Sequence, residues 1–425
     1  MEGTILGMSL DNSTERKPLQ YSASTQPQIE EESNLKRPGF MDRLPISGRT
    51  RKVVEWLSVV AAVYVLITAV SVIGSGFGVA TGGQAEQIFA FAQNPMVGLV
   101  IGILATVLTQ SSSTTTSIVV GMVAGGLPLA TAIPILLGAN VGTTMTSTLV
   151  SLGAAGDRNQ FRRAFSAASV HDMYNLLSVA IFFPLEWAFG LLERIGTWFA
   201  GITTGSDGGV VATVFTGLGN VVSAVTDPGA DLVEATTMAV LSPVWAGIAM
   251  IVIGVALILM VIKFISSMLK VLLVGNVEKT FHKAIGRGPL SGIFSGLLIT
   301  VMVQSSTTTT SLAVPLAASG KFSLWQIYPF TVGANIGTTM TAMIAAFGFS
   351  GFEATAAMTA AAVHLFYNLI AAVVIFMIPF LRPLPIIGAS WLGNLGAKNK
   401  LYVVAWLAGL FVVIPGIIIG VSAII

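Results

Sequence analysis

The sequence predicts an all-α polytopic membrane protein built from inverted-topology repeats, each holding a re-entrant helical hairpin and an unwound transmembrane helix. Three observations carry this. Charged residues make up 9% of the chain, against about 25% in soluble proteins. Apolar runs near the roughly 20 residues a bilayer requires recur from Val53 onward. Three motifs occur twice, in the same order. The runs are continuous rather than alternating, which argues against a β-barrel.

Residues 1–52 are polar and contain no apolar run, so they read as a disordered cytoplasmic tail without the core of a signal peptide. Its basic end, Arg49–Lys52, abuts a first span at Val53–Ala80. An interrupted segment follows, with a hairpin expected over 98–126, then spans at about Leu127–Leu152 and Phe161–Leu185, completing a first repeat over 53–185. Residues 186–238 read as an extracytoplasmic linker. The second repeat, 239–380, restarts with a span at Ala239–Met260, a hairpin over 289–320, and spans at Leu324–Phe347 and Ala354–Phe380. A loop and a last apolar run close the chain over 381–425.

The duplication is legible residue by residue. QSSSTTTS (Gln110–Ser117) matches QSSTTTTS (Gln304–Ser311) at seven of eight positions, and GANVGTTMT (Gly138–Thr146) matches GANIGTTMT (Gly333–Thr341) at eight of nine. SVHDMYNLL (Ser169–Leu177) matches AVHLFYNLI (Ala362–Ile370) more weakly. If each QSS segment dips in and returns, each half has three crossings, and the second half is inverted relative to the first, a common plan of secondary transporters. The charges fit this count. No Lys or Arg occurs between Val53 and Gly156, DRNQFRR (Asp157–Arg163) carries three Arg, the linker is acidic, and Lys263–Arg287 is basic. With the N-terminus inside, every basic loop lies inside, and Ile425 falls outside.

A row of hydroxyls between apolar flanks is wasted if it faces lipid, and broken backbone at membrane depth is tolerated only beside protein or a water-filled cavity. Two rows entering from opposite faces are expected to meet near the midplane. A helix restarting at a hairpin tip offers free N–H groups and the positive end of its dipole, and Ser and Thr add O–H donors. That is an anion site without a fixed cation, so a mobile cation must balance the charge. Sodium fits, because it takes hydroxyl, amide and carbonyl oxygens. The GAN segments supply candidate ligands in Asn140, Thr143, Thr144, Asn335, Thr338 and Thr339, although close helix packing through their glycines is an alternative use. Asp172 is a carboxylate inside a predicted span and calls for a cation; its counterpart is Leu365. His171 and His364 occupy matched positions, suited either to a proton or to a structural hydrogen bond, and Asn175 and Asn368 lie four residues on, along the same face.

These motifs, with GDRNQFRRAFSAASVHDMYNLL (Gly156–Leu177), resemble the type II sodium-dependent phosphate cotransporters over about Val53–Ile425. The resemblance implies sodium-driven uptake of inorganic phosphate by alternating access. Phosphate is then expected on Ser111, Ser112, Ser113, Thr114, Ser305, Ser306 and Thr307. Sodium is expected on Gln110, Gln304, Asn140, Thr143, Asn335, Thr338, Thr339 and Asp172, with His171, His364, Asn175 and Asn368 in support. An Asp in the VHD segment accompanies electrogenic transport in that family, implying three sodium ions per divalent phosphate. Animal members have Cys in the large external loop, whereas this chain has no Cys, and its low-Cys, short-loop form suggests a bacterial member of the cell membrane. The implied partners are phosphate, sodium and the bilayer, with no nucleic acid and no organic cofactor.

Other readings are a sodium-coupled carrier of sulfate or a dicarboxylate, an anion channel, and an enzyme. Divalent phosphate keeps a proton to donate to Gln carbonyls and hydroxyls, which sulfate lacks. A channel calls for a continuous pore, often with cationic rings. An intramembrane hydrolase needs an activated nucleophile, and no GxSxG elbow precedes either row.

Overall fold

The computed structural model describes residues 48–92, 94–205, 208–284 and 288–422. The expected tail therefore lies almost wholly outside the described residues. The described chain is helical. In order, the longer helices are α1 (Gly48–Thr81), α2 (Pro95–Thr109), α3 (Ser112–Ala124), α4 (Leu129–Gly142), α5 (Thr144–Ser151), α6 (Arg158–Phe189), α7 (Leu191–Thr204) and α8 (Gly209–Val240). The second half gives α9 (Pro243–Ala284), α10 (Pro289–Val303), α11 (Ser306–Ala318), α12 (Leu324–Ala346), α13 (Gly351–Met377), α14 (Leu384–Lys398), α15 (Leu401–Ala408) and α16 (Ile414–Ser422).

Among the described residues, six helical stretches are long and apolar enough to cross a membrane, or seven if α6 and α7 count as one bent span. The protein is a multi-pass membrane protein. Helix α12 has the length, at 23 residues, but falls short on apolarity. The reason is its polar content: Asn335, Thr338, Thr339 and Thr341 are all buried.

Local sequence explains the helix ends. Asn94 caps α2, accepting from the Met96 N–H at 3.0 Å, with Pro95 at the first helical position. The Asp157 carboxylate accepts from the N–H groups of Asn159 and Gln160, both at 2.8 Å, and starts α6. Ser323 and Gln326 form a capping box at α12.

Helices α1 and α9 form a long mutual seam. Gly76 faces Gly247 and Met250, whereas Gly254 faces Ala69 and Ile73, so contacts descend along α9 as they ascend along α1. The pair is antiparallel.

Three expectations are corrected. The segment 186–238, expected as a linker, is almost wholly helical in its described residues. Helix α6 runs to Phe189, turns by 75° at Gly190 into α7, and α8 follows as a 32-residue helix of spanning length and apolarity. Asp227, Asp231 and Glu234 suggested an external linker, but α8 runs through them, and through Pro228 and Gly229, without a break. The region after 381 is likewise not a loop before the last span, because α14 forms there and packs on α6. Finally, the GAN segment is interrupted only in the first half, at Thr143, between α4 and α5; α12 passes through Gly333–Thr341 without a break. One turn residue in helical backbone geometry is a pause in hydrogen bonding, not an unwound stretch.

Candidate functional site

Each QSS segment is a helical hairpin tip with the same geometry. Gln110 and Gln304 both have φ of 53°, the only non-glycine residues with positive φ among those described. This left-handed step ends the first helix of each hairpin. Ser111 and Ser305 then sit in extended backbone at φ −154° and −155° and cap the second helix. Their Oγ atoms accept from the N–H groups of Thr114 and Thr308, both at 3.2 Å.

The hydroxyls divide into two kinds. Those of Thr115, Thr116, Thr309 and Thr310 donate back to their own turn, on Ser111, Ser113, Ser305 and Ser306 carbonyls at 2.9–3.3 Å. Those of Ser112, Ser113, Thr114, Ser306 and Thr307 have no partner within the described protein. They belong to the first turns of α3 and α11, where backbone N–H groups also lack intrahelical acceptors. All five are among the residues expected to hold phosphate.

The two tips are not equivalent. Ser112–Ser117 are all buried, whereas Gln304, Thr307 and Thr308 are half-buried. Gln110 is exposed. Gln304 is fixed at both ends: its Nε2 donates to the Val301 carbonyl at 2.6 Å, and its Oε1 accepts from the Thr341 hydroxyl at 2.8 Å. No hydrogen bond joins one row to the other among the described residues. Instead, each second helix turns to the opposite half: α3 packs on α12 and α13, and α11 packs on α5 and α6. The Ser147–Thr310 hydroxyl pair at 3.0 Å marks the latter contact. A small cavity elsewhere is lined by Thr204, Phe215, Asn220, Phe349, Ser350 and Met358, and no residue of either row lines it.

In the GAN segments, glycine and asparagine do different work. A Cβ on Gly138 would collide with the Leu99 carbonyl oxygen, and one on Gly333 with the Ile293 carbonyl oxygen. These glycines bring α4 against α2 and α12 against α10. The asparagines reach across the duplication. Asn140 Oδ1 accepts from His364 Nε2 at 3.1 Å, and its Nδ2 donates to Asn368 Oδ1 at 2.9 Å. Asn335 Oδ1 accepts from His171 Nε2 at 2.6 Å, and its Nδ2 donates to Asn175 Oδ1 at 2.6 Å. Asn175 Nδ2 donates to the Asn140 carbonyl at 2.8 Å, joining the two sets. All six side chains are buried. The side-chain oxygens of Asn140 and Asn335 are thus engaged by histidine, and the structural alternative for His171 and His364 is the one their bonds support.

The motif threonines each donate to a carbonyl three or four residues back: Thr143 to Ala139 at 3.2 Å, Thr144 to Val141 at 3.0 Å, Thr338 to Ala334 at 3.0 Å, and Thr339 to Ile336 at 2.7 Å. A hydroxyl whose proton is so engaged presents only oxygen lone pairs to its surroundings, which suits a cation. Asp172 lies beside Thr144, is 1% exposed, and accepts from Trp406 Nε1 at 3.2 Å. Sequence reasoning missed Trp406, because one tryptophan in an apolar run carries no spacing signal. It also missed the Asn–His exchange; the matched positions were visible, but not which partner each would choose.

Sequence comparison places these features in a family. The sequence model described as Na+/Pi-cotransporter matches residues 65–221 and 257–381, one block over each copy of the motifs. The sodium-dependent phosphate transport protein 2A of Ovis aries is 33% identical over 461 residues, covering 92% of this chain and 71% of that protein. The 2A protein of Oryctolagus cuniculus is 34% identical over 432 residues, covering 85% and 66%. The 2B protein of Homo sapiens is 32% identical over 442 residues, covering 84% and 64%. No solved structure matches the chain. The duplicated tips, the doubled GAN segments and the two matched blocks coincide, and the chain belongs to the Na+/Pi-cotransporter family.

Proposed function

We propose that this protein couples inward sodium flow to uptake of inorganic phosphate across the cell membrane by alternating access. The observation that carries the reading is the set of unengaged donors at the two tips: hydroxyls of Ser112, Ser113, Thr114, Ser306 and Thr307, joined by the free N–H groups of two helix starts. They suit a tetrahedral oxyanion, and no Lys or Arg lies in either hairpin tip to neutralise it. Co-bound sodium supplies that charge. Thr143, Thr144, Thr338 and Thr339 offer lone pairs, Gln110 an amide oxygen, and Asp172 a carboxylate. Asn140 and Asn335 serve this site by holding the GAN helices in register through the histidine network.

With three sodium ions per divalent phosphate, each cycle carries one net positive charge inward. The protein is a carrier and performs no covalent chemistry. Its N-terminus lies in the cytoplasm, with the first hairpin opening outward and the second inward.

The test is reconstitution. Pure protein in proteoliposomes is expected to accumulate radiolabelled phosphate when sodium is higher outside, and to stop when choline replaces sodium. Uptake indifferent to sodium overturns the reading. Sulfate or a dicarboxylate that outcompetes phosphate at equal concentration reassigns the substrate.

A further inference from the structure

The contact between Asp172 and Trp406 is not explained by the hairpins or by the duplication. The Asp172 Oδ2 accepts from the indole N–H, and Oδ1 is buried without a hydrogen-bond partner. An ionised carboxylate at membrane depth requires a cation or several donors. Beside it stands the Thr144 hydroxyl, which donates to the Val141 carbonyl at 3.0 Å and lies within interaction distance of the carboxylate. The second half has Leu365 at the matching position, so this arrangement exists once.

The indole does not owe its place to Asp172. At the start of α15, Lys400 Nζ donates to the Ala155 carbonyl at 2.5 Å and lies 5.7 Å from the Phe161 ring centre. Trp406 itself packs against the Phe161, Phe165, Leu392 and Val403 group. Shortly after it, Gly409–Val413 form a π-helical turn, a feature that often accompanies functional sites.

We propose that Trp406 is a positioning residue for sodium at Asp172. Its N–H holds Oδ2 and fixes the carboxylate rotamer, so that Oδ1 and the Thr144 oxygen face the ion together. This rests on the reading above that Asp172 takes a transported sodium ion. Without the indole donor, the carboxylate loses both its orientation and part of its stabilisation as an anion.

Trp406→Phe keeps the aromatic packing and removes the N–H. In proteoliposomes the sodium concentration for half-maximal phosphate uptake is expected to rise about 3- to 10-fold, the range of one hydrogen bond. The phosphate KM at saturating sodium is expected to stay unchanged. In an Asp172→Gly background, adding Trp406→Phe is expected to shift the sodium dependence no further, whereas a merely structural indole would shift it in both backgrounds. Tryptophan emission gives a reading that needs no transport. Sodium titration against choline is expected to change emission more in the wild type than in Trp406→Phe, and that excess is expected to vanish in Asp172→Asn. Wild-type sodium dependence in Trp406→Phe, an additive effect on Asp172→Gly, or equal emission responses overturns the proposal. If Trp406→Phe fails to fold, the wild type against Asp172→Asn decides: identical emission responses to sodium overturn it. Sodium-independent uptake by the wild type would remove the transport reading, and the emission titration would still decide the Trp406–Asp172 coupling.

Discussion

Ser306 pairs a hydroxyl without a partner with a backbone N–H at the open end of α11. Removing the hydroxyl takes away a donor to a charged ligand, a contribution of about 1.5–3 kcal/mol. Ser306→Ala is therefore expected to raise the phosphate KM on the order of 10- to 100-fold in radiolabelled uptake assays, with little change in sodium dependence. Asp172→Gly is expected to leave part of the uptake but abolish net current, read with a potential-sensitive dye; current persisting at the wild-type ratio to phosphate would remove Asp172 from charge coupling. His364→Ala leaves Asn140 Oδ1 buried without its donor, at a cost of about 1–3 kcal/mol in unfolding experiments. The hydroxyl rows were legible in sequence because eight consecutive uncharged polar residues contradict an apolar surrounding. The asparagines were legible as important but not in their role, since hydrogen bonds spanning 164 and 224 residues leave no trace in local pattern.

Helices were easier to read than the segments between them. Apolar runs placed the ends of α1, α6, α12 and α13 closely, since a span needs a minimum length and shows it, whereas the run expected at Leu127–Leu152 covers α4 and α5 together and α9 continues past the expected Met260 to Ala284. The failures fell where polarity was taken as exposure. Helix α8 carries acidic residues yet remains a continuous helix, and α14 packs a face against α6 in a stretch expected to be loop. The GAN glycines show a further limit, for their spacing fitted helix weakening and helix packing equally well. The close approach of Gly333 to the Ile293 carbonyl favours packing. Gly333→Ala must push α12 away from α10, which is expected to destabilise the protein by about 1–3 kcal/mol and lower its thermal midpoint in detergent. An unchanged midpoint would show that the seam has slack.

The two halves are joined by exchange. Asparagines of α4 and α12 bond histidines of α13 and α6, and the second helix of each hairpin packs on the opposite half. Movement between the halves must alter contacts such as Ser147–Thr310. The chain has no cysteine, so the paired substitution Ser147→Cys and Thr310→Cys places two thiols alone in the protein. Oxidation is expected to arrest phosphate uptake in proteoliposomes and reduction to restore it; undiminished uptake by the oxidised protein would show that this contact stays fixed through the cycle.

The exchange of hairpins also sets an order of events at the ribosome. Helix α3 leaves the ribosome well before α12 and α13, the surfaces on which it comes to rest. About 200 residues separate them, which at 5–20 residues per second is roughly 10–40 s of synthesis. During that interval a hydroxyl-rich tip has no permanent neighbours and must wait near the insertion machinery or the lipid headgroups. Stalling translation between the halves should therefore expose the first tip to protease or to a water-soluble label, and release of the stall should close it.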